Sequence, residues 1–478
     1  MTWWRFLRSL VLSIVLTTIL GHAAPAAAQP SITASPSDVV EGEPVRVAIS
    51  GLEPGQTVTV HASRMWARFP VGQERYYGRS SFTADARGQV KLADSRPLVG
   101  SAYDRPDAAG LFWSMQPVRR LSAAGLAPPQ GLAAVEALAP GTVVLEVEVA
   151  GRLAARVDVR LRPAAADVAV REVRAPGVTG VFAQPGGPGL RRAVIVLGGS
   201  EGGLATARDL APLLASRGYA VLGLAYFQGE ERDLIGLRPN LELIPLETLE
   251  AARRWLAAQP GVDAGQVAVV GVSKGAELAL VAAATYPWVS LVGAFAPSHV
   301  VWEGIPPDDD PNRSAGSSWT LGDRPLPFVR WSQDAARRGE AARAATGVSR
   351  LTEVHLESLV EYASDIEQAR IRMERSRAAV FIAAGQDDGM WPSAYAAEQL
   401  RTRLERRDPR LPVQIELAPT GHQILGAGWS PTTAFQRPTG LRHGGDARLD
   451  SEAQRAIWPR FLAFLEAHYP PADRDPAR

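Results

Sequence analysis

The stretch VAVVGVSKGAELAL (residues 267–280) contains the pattern that decides the fold of this chain. Four apolar residues lead into the pattern G-x-S-x-G at Gly271, Ser273 and Gly275, and a run rich in Ala and Leu follows. This order predicts a buried strand, a sharp turn and a helix, the geometry that lifts a nucleophilic serine above an α/β sheet. A hydroxyl held in that way needs a neighbouring base, because its proton is bound too tightly at neutral pH.

Strands and helices alternate on both sides of this turn, from residue 166 to residue 472. Continuous apolar strands separated by amphipathic helices are typical of an α/β fold with a mostly parallel, doubly wound sheet. Residues 301–374 interrupt the alternation with a polar stretch rich in Pro and Arg, which we interpret as an insertion or lid. Besides the strand before Ser273, the predicted strands are AVIVLGG (193–199), YAVLGLAYF (219–227), VSLVGAFAP (289–297), AAVFIAAG (378–385) and VQIELA (413–418).

The region before this sheet has a different pattern. Residues 29–165 contain short alternating segments such as PVRVAISGL and QTVTVHAS, separated by Gly and Pro-Gly turns, which predict an all-β sandwich. Residues 1–28 contain two arginines, a short apolar run and an Ala-x-Ala site, the three parts of a secretory signal peptide. We therefore expect export to the periplasm or the medium, with no stable membrane insertion after the signal is removed. An uncleaved N-terminal anchor is the alternative.

Two further candidate residues follow Ser273 in the order serine, acid, histidine. A strand ending at Gly385 is followed by Asp387 and Asp388, and Asp388 is preferred because it stands three residues after the glycine. The strand VQIELA is followed by Pro-Thr-Gly-His422. Each residue alone could belong to an ordinary turn. Three such residues in order, each after a strand, predict a Ser273–Asp388–His422 triad.

Backbone N–H groups near the serine are the predicted oxyanion donors. The helix that begins at Lys274 would point its N-terminus at the oxyanion, so the N–H of Lys274 is one candidate. The loop after AVIVLGG should supply the other, with Gly199 and Ser200 as candidates. The glycines of that loop do not fit G-x-G-x-x-G, which disfavours a dinucleotide site. His299 follows a sheet strand and is kept as a candidate for substrate binding.

Composition excludes several classes of function. Cysteine is absent, so thiolate catalysis, disulfides and Cys-ligated zinc are excluded. Lys and Arg number 51 and Asp and Glu number 50, a balance that gives no reason to expect nucleic acid as a partner. His, Asp and Glu show no metal-ligand spacing. We expect neither a metal nor a cofactor.

The motifs GVSKGAEL, GQDDGMW and PTGH, with the leading segment EPVRVAISGLEPGQTVTVHAS, resemble the acyl-CoA thioesterase and bile acid-CoA:amino acid N-acyltransferase family. The resemblance extends from Ile32 to the last predicted helix. It implies an immunoglobulin-like sandwich followed by an α/β-hydrolase domain, with nucleophile, acid and base at Ser273, Asp388 and His422. The family's amino-acid transferases use cysteine as the nucleophile, so serine favours hydrolysis. We interpret Glu277, which belongs to the motif, as structural support for the turn.

The resemblance implies a small-molecule acyl thioester or ester as substrate, with the acyl group passing through Ser273 to water. The insertion at residues 301–374 departs from the family and is expected to shape the acyl pocket. An export signal conflicts with CoA, which is found inside cells, so an ester or a lactone is an open alternative. An N-acyltransferase and a non-enzymatic exported binding protein also remain, and the same fold carries dienelactone-hydrolase-like and peptidase activities.

Overall fold

The computed structural model describes residues 29–68, 72–305, 315–436 and 440–472. The predicted signal peptide at residues 1–28 lies outside the described residues. Strands up to Arg162 form two sheets, and we call this part the β domain. Strands from Val168 onward form the sheets of what we call the hydrolase domain. Within the described part of the chain, no helix has the length and apolar character to cross a membrane.

The β domain consists of a three-stranded sheet, β1-β3-β6, and a six-stranded sheet, β2-β9-β8-β4-β5-β7. Alternation places Val47 and Ile49 of β3 in the core while their neighbours face outward. A hairpin turns at Gly151 between β8 and β9. The elements are β1 (Ser31–Ser35), β2 (Asp38–Val40), β3 (Arg46–Ser50), β4 (Thr57–Arg68), β5 (Gly72–Thr83), β6 (Val90–Lys91), α1 (Gly110–Trp113), β7 (Gln116–Pro117), α2 (Val118–Ala123), β8 (Thr142–Val149) and β9 (Arg152–Arg162).

The hydrolase domain contains an eight-stranded sheet with the order β10-β11-β13-β12-β15-β16-β20-β21. The strands from β13 to β21 in this order run parallel, while β10 and β11 are antiparallel additions at one edge. The strands are β10 (Val168–Ala175), β11 (Val178–Pro185), β12 (Arg191–Leu197), β13 (Ala220–Ala225), β14 (Ile244–Pro245), β15 (Val262–Val272), β16 (Val289–Phe295), β17 (Trp319–Leu321), β18 (Arg324–Pro325), β19 (Val348–Ser349), β20 (Ala379–Gly385), β21 (Val413–Ala418) and β22 (Gly440–Leu441).

Helices cover both faces of this sheet, as the sequence predicts. Apolar residues of α3 and α10 pack on one face, and those of α4, α5 and α9 pack on the other. The helices are α3 (Ala205–Ala215), α4 (Glu247–Ala257), α5 (Lys274–Thr285), α6 (Gln333–Thr346), α7 (Thr352–Glu361), α8 (Ile366–Ala369), α9 (Ser393–Leu404) and α10 (Ala447–His468), with 3-10 turns at Met373–Arg375 and Thr432–Phe435. The α/β-hydrolase fold is therefore established by the strand order and the two helical layers.

One edge of the sheet differs from the sequence prediction. The predicted strands do not include residues 168–175, but these residues form β10, the outermost strand of the sheet. A tight turn at Gly177, which has a positive φ of 74°, returns the chain along β11. Because most of β10 is exposed, it lacks the continuous apolar run that marks the central strands.

The stretch interpreted as an insertion falls between β16 and β20 and carries its own folded elements, including α6 and α7. It has a small apolar core that includes Trp302, Val329 and Leu359 and packs against Trp391. Two short sheets tie it to the rest of the domain, because β17 pairs with β14 and β19 pairs with β22. This structured covering lies next to the carboxyl ends of the strands, where ligands bind in open α/β sheets.

Candidate active site

Ser273 lies between the end of β15 and the start of α5, in a sharp turn. Its φ of 56° and ψ of −123° form a backbone conformation that residues other than glycine rarely adopt. The flanking glycines permit this turn, because a Cβ at Gly271 would lie 2.1 Å from the Gly275 carbonyl oxygen. A Cβ at Gly275 would lie 2.2 Å from the Gly198 carbonyl oxygen. Strain that the surrounding structure enforces in this way is typical of a functional position.

Asp388 and His422 follow β20 and β21 and form a buried pair. The His422 Nδ1 lies 2.9 Å from Oδ2 and 3.0 Å from Oδ1 of Asp388. A carboxylate can only accept, so Nδ1 carries the proton and Nε2 is left with its lone pair. The backbone N–H of Met390 donates to Asp388 Oδ1 at 2.8 Å and holds the carboxylate in place. The arrangement orients an imidazole to act as a base through Nε2.

The serine and the histidine lie at the same edge of the sheet. The strands β15, β16, β20 and β21 are parallel neighbours, so Ser273 and His422 both follow carboxyl ends. Among the described residues, neither the Ser273 hydroxyl nor His422 Nε2 forms a hydrogen bond. Both groups are thus available to a substrate, and catalytic hydrogen bonds often form only when substrate is bound.

The loop after β12 lies directly against Ser273. A Cβ built on Gly199 would be 3.1 Å from the Cβ of Ser273. The N–H of Gly199, however, donates to Glu201 Oε1 at 3.0 Å, so this predicted oxyanion donor already has a partner. The sequence could not reveal this, because the bond depends on how the loop folds back. In the described chain, the N–H groups of Ser200 and Lys274 make no hydrogen bond and remain the two candidate donors.

Two models of one protein family match this chain. The model described as BAAT / Acyl-CoA thioester hydrolase C terminal matches residues 244–471. The model described as Acyl-CoA thioester hydrolase/BAAT N-terminal region matches residues 42–181. The chain belongs to the acyl-CoA thioester hydrolase/BAAT family.

Relatives of known name agree with this assignment. Acyl-coenzyme A thioesterase 5 of Mus musculus is 29% identical and aligns with 89% of this chain and 93% of its own. Acyl-coenzyme A thioesterase 1 of Homo sapiens is 28% identical over the same shares of the two chains. A solved alpha/beta hydrolase from Penicillium sp. has 16% identity and a TM-score of 0.35, covering 63% of this chain and 98% of its own. This structural similarity is too low to establish the fold, which follows from the strand order described above. Because these relatives are acyl-coenzyme A thioesterases, they support a hydrolase.

In this member of the acyl-CoA thioester hydrolase/BAAT family, the side chain of Lys274, which follows Ser273, is buried. The Lys274 ammonium donates to both oxygens of Glu277 at 2.8 Å and to the Ser318 hydroxyl at 2.7 Å. Glu277 is fully buried and also accepts from the indole N–H of Trp319 at 2.7 Å. Burial raises the pKa of Glu277 and lowers that of Lys274, and each charge opposes the shift of the other. The pair joins α5 to the insertion, in agreement with the structural role predicted for Glu277.

Asp387 faces away from His422 and connects three segments. Arg350 of the insertion donates to its Oδ1 at 2.8 Å, and the N–H of Gly445 donates to its Oδ2 at 2.8 Å. Burial alone would raise the pKa of Asp387, but these two hydrogen bonds outweigh it and lower the pKa. Asp387 therefore braces the loop that carries Asp388, and it does not contact the histidine.

The sequence did not point to Asp450, which supports the loop of His422. Asp450 is fully buried and accepts hydrogen bonds from the hydroxyl of Thr420 and, at 3.4 Å, from the N–H of Gly421. Burial raises the pKa of Asp450 to about 6. In the sequence it is one more acidic residue in the first turn of a helix, where carboxylates are common, so no local signal marked it.

His299, the binding candidate from the sequence, and His355 of the insertion have different surroundings. His299 contacts Tyr395, with ring centroids 5.3 Å apart, and no contact joins it to Ser273 or His422 within the described ranges. Burial lowers the pKa of His299 to about 3. His355 of the insertion instead packs on Trp391, which also packs on His422, with ring centroids 6.0 and 6.1 Å apart. Among the described residues, His299 therefore has no contact with Ser273 or His422, whereas Trp391 connects His355 to His422.

His355 is held as a neutral ring among tryptophans. Its Nδ1–H donates to the carbonyl of Leu351 at 2.8 Å, which fixes the tautomer. The ring packs edge to face on Trp302, Trp331 and Trp391, with centroids 4.6, 5.8 and 6.0 Å away. Burial lowers the pKa of His355 to about 4. No group of three His, Asp or Glu side chains that could hold a metal is found in the described residues.

Proposed function

We propose that the protein is a serine hydrolase that cleaves acyl thioesters of the acyl-CoA type to a carboxylic acid and a thiol. The observation that carries this proposal is the buried hydrogen bond of 2.9 Å between His422 and Asp388, at the same sheet edge as the turn of Ser273. The names of the relatives, which are acyl-coenzyme A thioesterases, support the substrate class.

In the proposed mechanism the acyl group passes through an ester on Ser273. The serine oxygen attacks the thioester carbonyl while His422 Nε2 takes the hydroxyl proton. Asp388 holds the Nδ1–H and stabilises the imidazolium that forms. The N–H groups of Lys274 and Ser200 donate to the oxyanion, and the N-terminus of α5 adds its positive end. The thiolate leaves with the proton from His422, which then activates water to release the acid.

A second candidate follows from residues 1–28. The Ala-x-Ala site and the short apolar run support export, which we propose for this protein. An exported enzyme would not meet acyl-CoA, so a carboxylic ester or a lactone would then be the natural substrate of the same triad. Transfer to an amine acceptor is disfavoured, because the nucleophile is serine.

The test measures thiol release from a series of acyl-CoA substrates and hydrolysis of simple esters with the same acyl groups. Ser273→Ala is expected to abolish both activities, because it removes the nucleophile. Ser290→Ala is the matched control and should retain activity, since it removes a serine hydroxyl near the amino end of β16, opposite the sheet edge that carries Ser273. Faster release from the thioesters supports the thioesterase, and cleavage of esters alone supports the second candidate. Turnover that persists in Ser273→Ala contradicts the mechanism.

A further inference from the structure

A segment of the hydrolase domain lies inside the core of the β domain. We call residues 429–435, which follow His422 closely in the chain, the anchor segment. Its Trp429 and Ala434 are 4% and 0% exposed and belong to the apolar core of the β domain. The ring of Trp429 packs edge to face on Phe112, with centroids 5.1 Å apart. Withdrawing such a side chain would expose its apolar surface to water, so the anchor segment resists displacement.

Hydrogen bonds hold the anchor segment against separate parts of the β domain. The Thr433 hydroxyl donates to the carbonyl of Met115, and Arg120 donates to the carbonyl of Thr433 at 3.3 Å. The Ser430 hydroxyl donates to the carboxylate of Glu41. The β domain therefore fixes the anchor segment, which follows His422 in the chain.

Helix α10 makes a second connection between the β domain and the histidine loop. Gln454 donates to the carbonyl of Gln423, the residue after His422, at 2.8 Å. The next residue, Arg455, donates two hydrogen bonds to Asp107 of the β domain, at 2.8 and 2.9 Å. The Asp107 side chain is only 8% exposed, so this charge pair is shielded from solvent and its geometry is specific.

We propose that the β domain completes the active site by fixing the loop that carries His422, with Arg455 and Asp107 as positioning residues. The inference rests on the proposed function of the triad. The loop between β21 and α10 carries His422, and both its anchor segment and α10 are held by the β domain. A displacement of about 1 Å at a catalytic group can lower a rate about 10²-fold, so contacts outside the pocket can control turnover.

The test replaces Arg455 with methionine, which removes the guanidinium and keeps an apolar stem. In Arg455→Met, kcat is expected to fall about 10²-fold, since the base is misplaced. KM should change by less than about threefold, because the acyl pocket is intact. Arg455→Lys, which keeps a donor for Asp107, should recover most of kcat.

Arg217→Met is the matched control. Arg217 pairs with Glu43 of the β domain at 2.6 Å, so it crosses the same domain boundary. It precedes β13 and therefore lies at the amino ends of the strands, opposite the edge that carries His422. Its substitution should leave kcat within about twofold of the wild-type value. An equal loss of kcat in both variants would overturn the specific role of Arg455.

A second readout needs no substrate. The His422 Nδ1–H is hydrogen-bonded to Asp388 and should give a downfield proton NMR signal in the wild-type protein and in Arg217→Met. This signal should be lost in Arg455→Met, whose fold is checked by circular dichroism. A folded Arg455→Met protein that keeps both the signal and wild-type kcat overturns the proposal.

Two further outcomes are covered by the same design. If Arg455→Met does not fold, Thr433→Val replaces it, because it removes only the hydroxyl that donates to Met115. A fall in kcat and loss of the proton signal in Thr433→Val then support the proposal, and a folded Thr433→Val protein that keeps both overturns it. If the wild-type protein shows no turnover that depends on Ser273, the proposed function fails, and the proton signal alone decides whether the β domain positions His422.

Discussion

Substitution of Glu277 by leucine is expected to cost a large part of the stability of the protein. The carboxylate accepts two hydrogen bonds from Lys274, one from the Trp319 indole and one, at 3.2 Å, from the N–H of Trp302. Leucine has similar volume, so the loss comes mainly from the ammonium, which stays buried with the Ser318 hydroxyl and the Trp319 ring as its remaining partners among the described residues. Breaking one side of a buried ion pair costs about 3–5 kcal/mol.

A double variant, Lys274→Met/Glu277→Leu, distinguishes the cost of an unpaired buried charge from the cost of altered packing. In Lys274→Met/Glu277→Leu no charge is left unpaired, and apolar replacement of a buried pair is often close to neutral. The N–H groups of Trp319 and Trp302 still lose their acceptor, at about 1–3 kcal/mol each. We therefore expect the double variant to be more stable than Glu277→Leu alone, although less stable than the wild-type protein.

Urea unfolding followed by circular dichroism at neutral pH measures these differences. Natural proteins have a total stability of about 5–15 kcal/mol, so the expected loss is a visible shift of the midpoint. Glu398→Leu is the control, because Glu398 pairs with Arg401 on the surface of α9, and its midpoint should not change. A Glu277→Leu midpoint equal to the wild-type value, or a double variant less stable than Glu277→Leu, would refute this reasoning.

Two other expected outcomes concern the acid and the pH dependence. Asp388→Asn should lower kcat by about 10⁴-fold, because the amide no longer selects the productive His422 tautomer. Asp387→Asn should cost less than about tenfold, since the amide keeps one acceptor oxygen and loses only one of the two hydrogen bonds, to Arg350 or to the Gly445 N–H; the reverse order would show that the other carboxylate is the acid. Because the pKa of His355 falls from 6.5 to about 4 on folding, the unfolded chain binds more protons in that interval, and stability should decrease as pH falls through it. Because His355→Gln lacks this titration, up to roughly 3 kcal/mol of the stability lost at pH 4 should be recovered. A melting temperature that falls with pH as steeply in His355→Gln as in the wild-type protein would contradict the assignment.

The turn at Ser273 could be predicted because its requirements are local. Apolar strand residues, flanking glycines and a following helix lie within a few positions of each other, and their physical reasons do not depend on distant contacts. Asp388 and His422 could be proposed from their positions after strands, since parallel strands bring such positions to one edge. The contact between the two side chains could only be found in the structure.

The edge strand β10 and the Gly199 N–H show where local patterns were insufficient. Solvent exposure of β10 removes the apolar run by which a strand in a parallel sheet is found. The partner of the Gly199 N–H is the side chain of Glu201, and its orientation depends on how the loop packs against Ser273. A pattern of residue types contains neither kind of information.

The sequence by itself determined the family, the α/β class and the residues proposed for the triad. These depend on residue chemistry and short spacing. Only the tertiary structure decided that Asp450 braces the histidine loop, that Trp391 packs on both His355 and His422, and that Asp107 holds Arg455 across the domains. Such contacts join residues far apart in the chain. They form because close packing brings these side chains together, and a charged group removed from water must find a partner inside the protein.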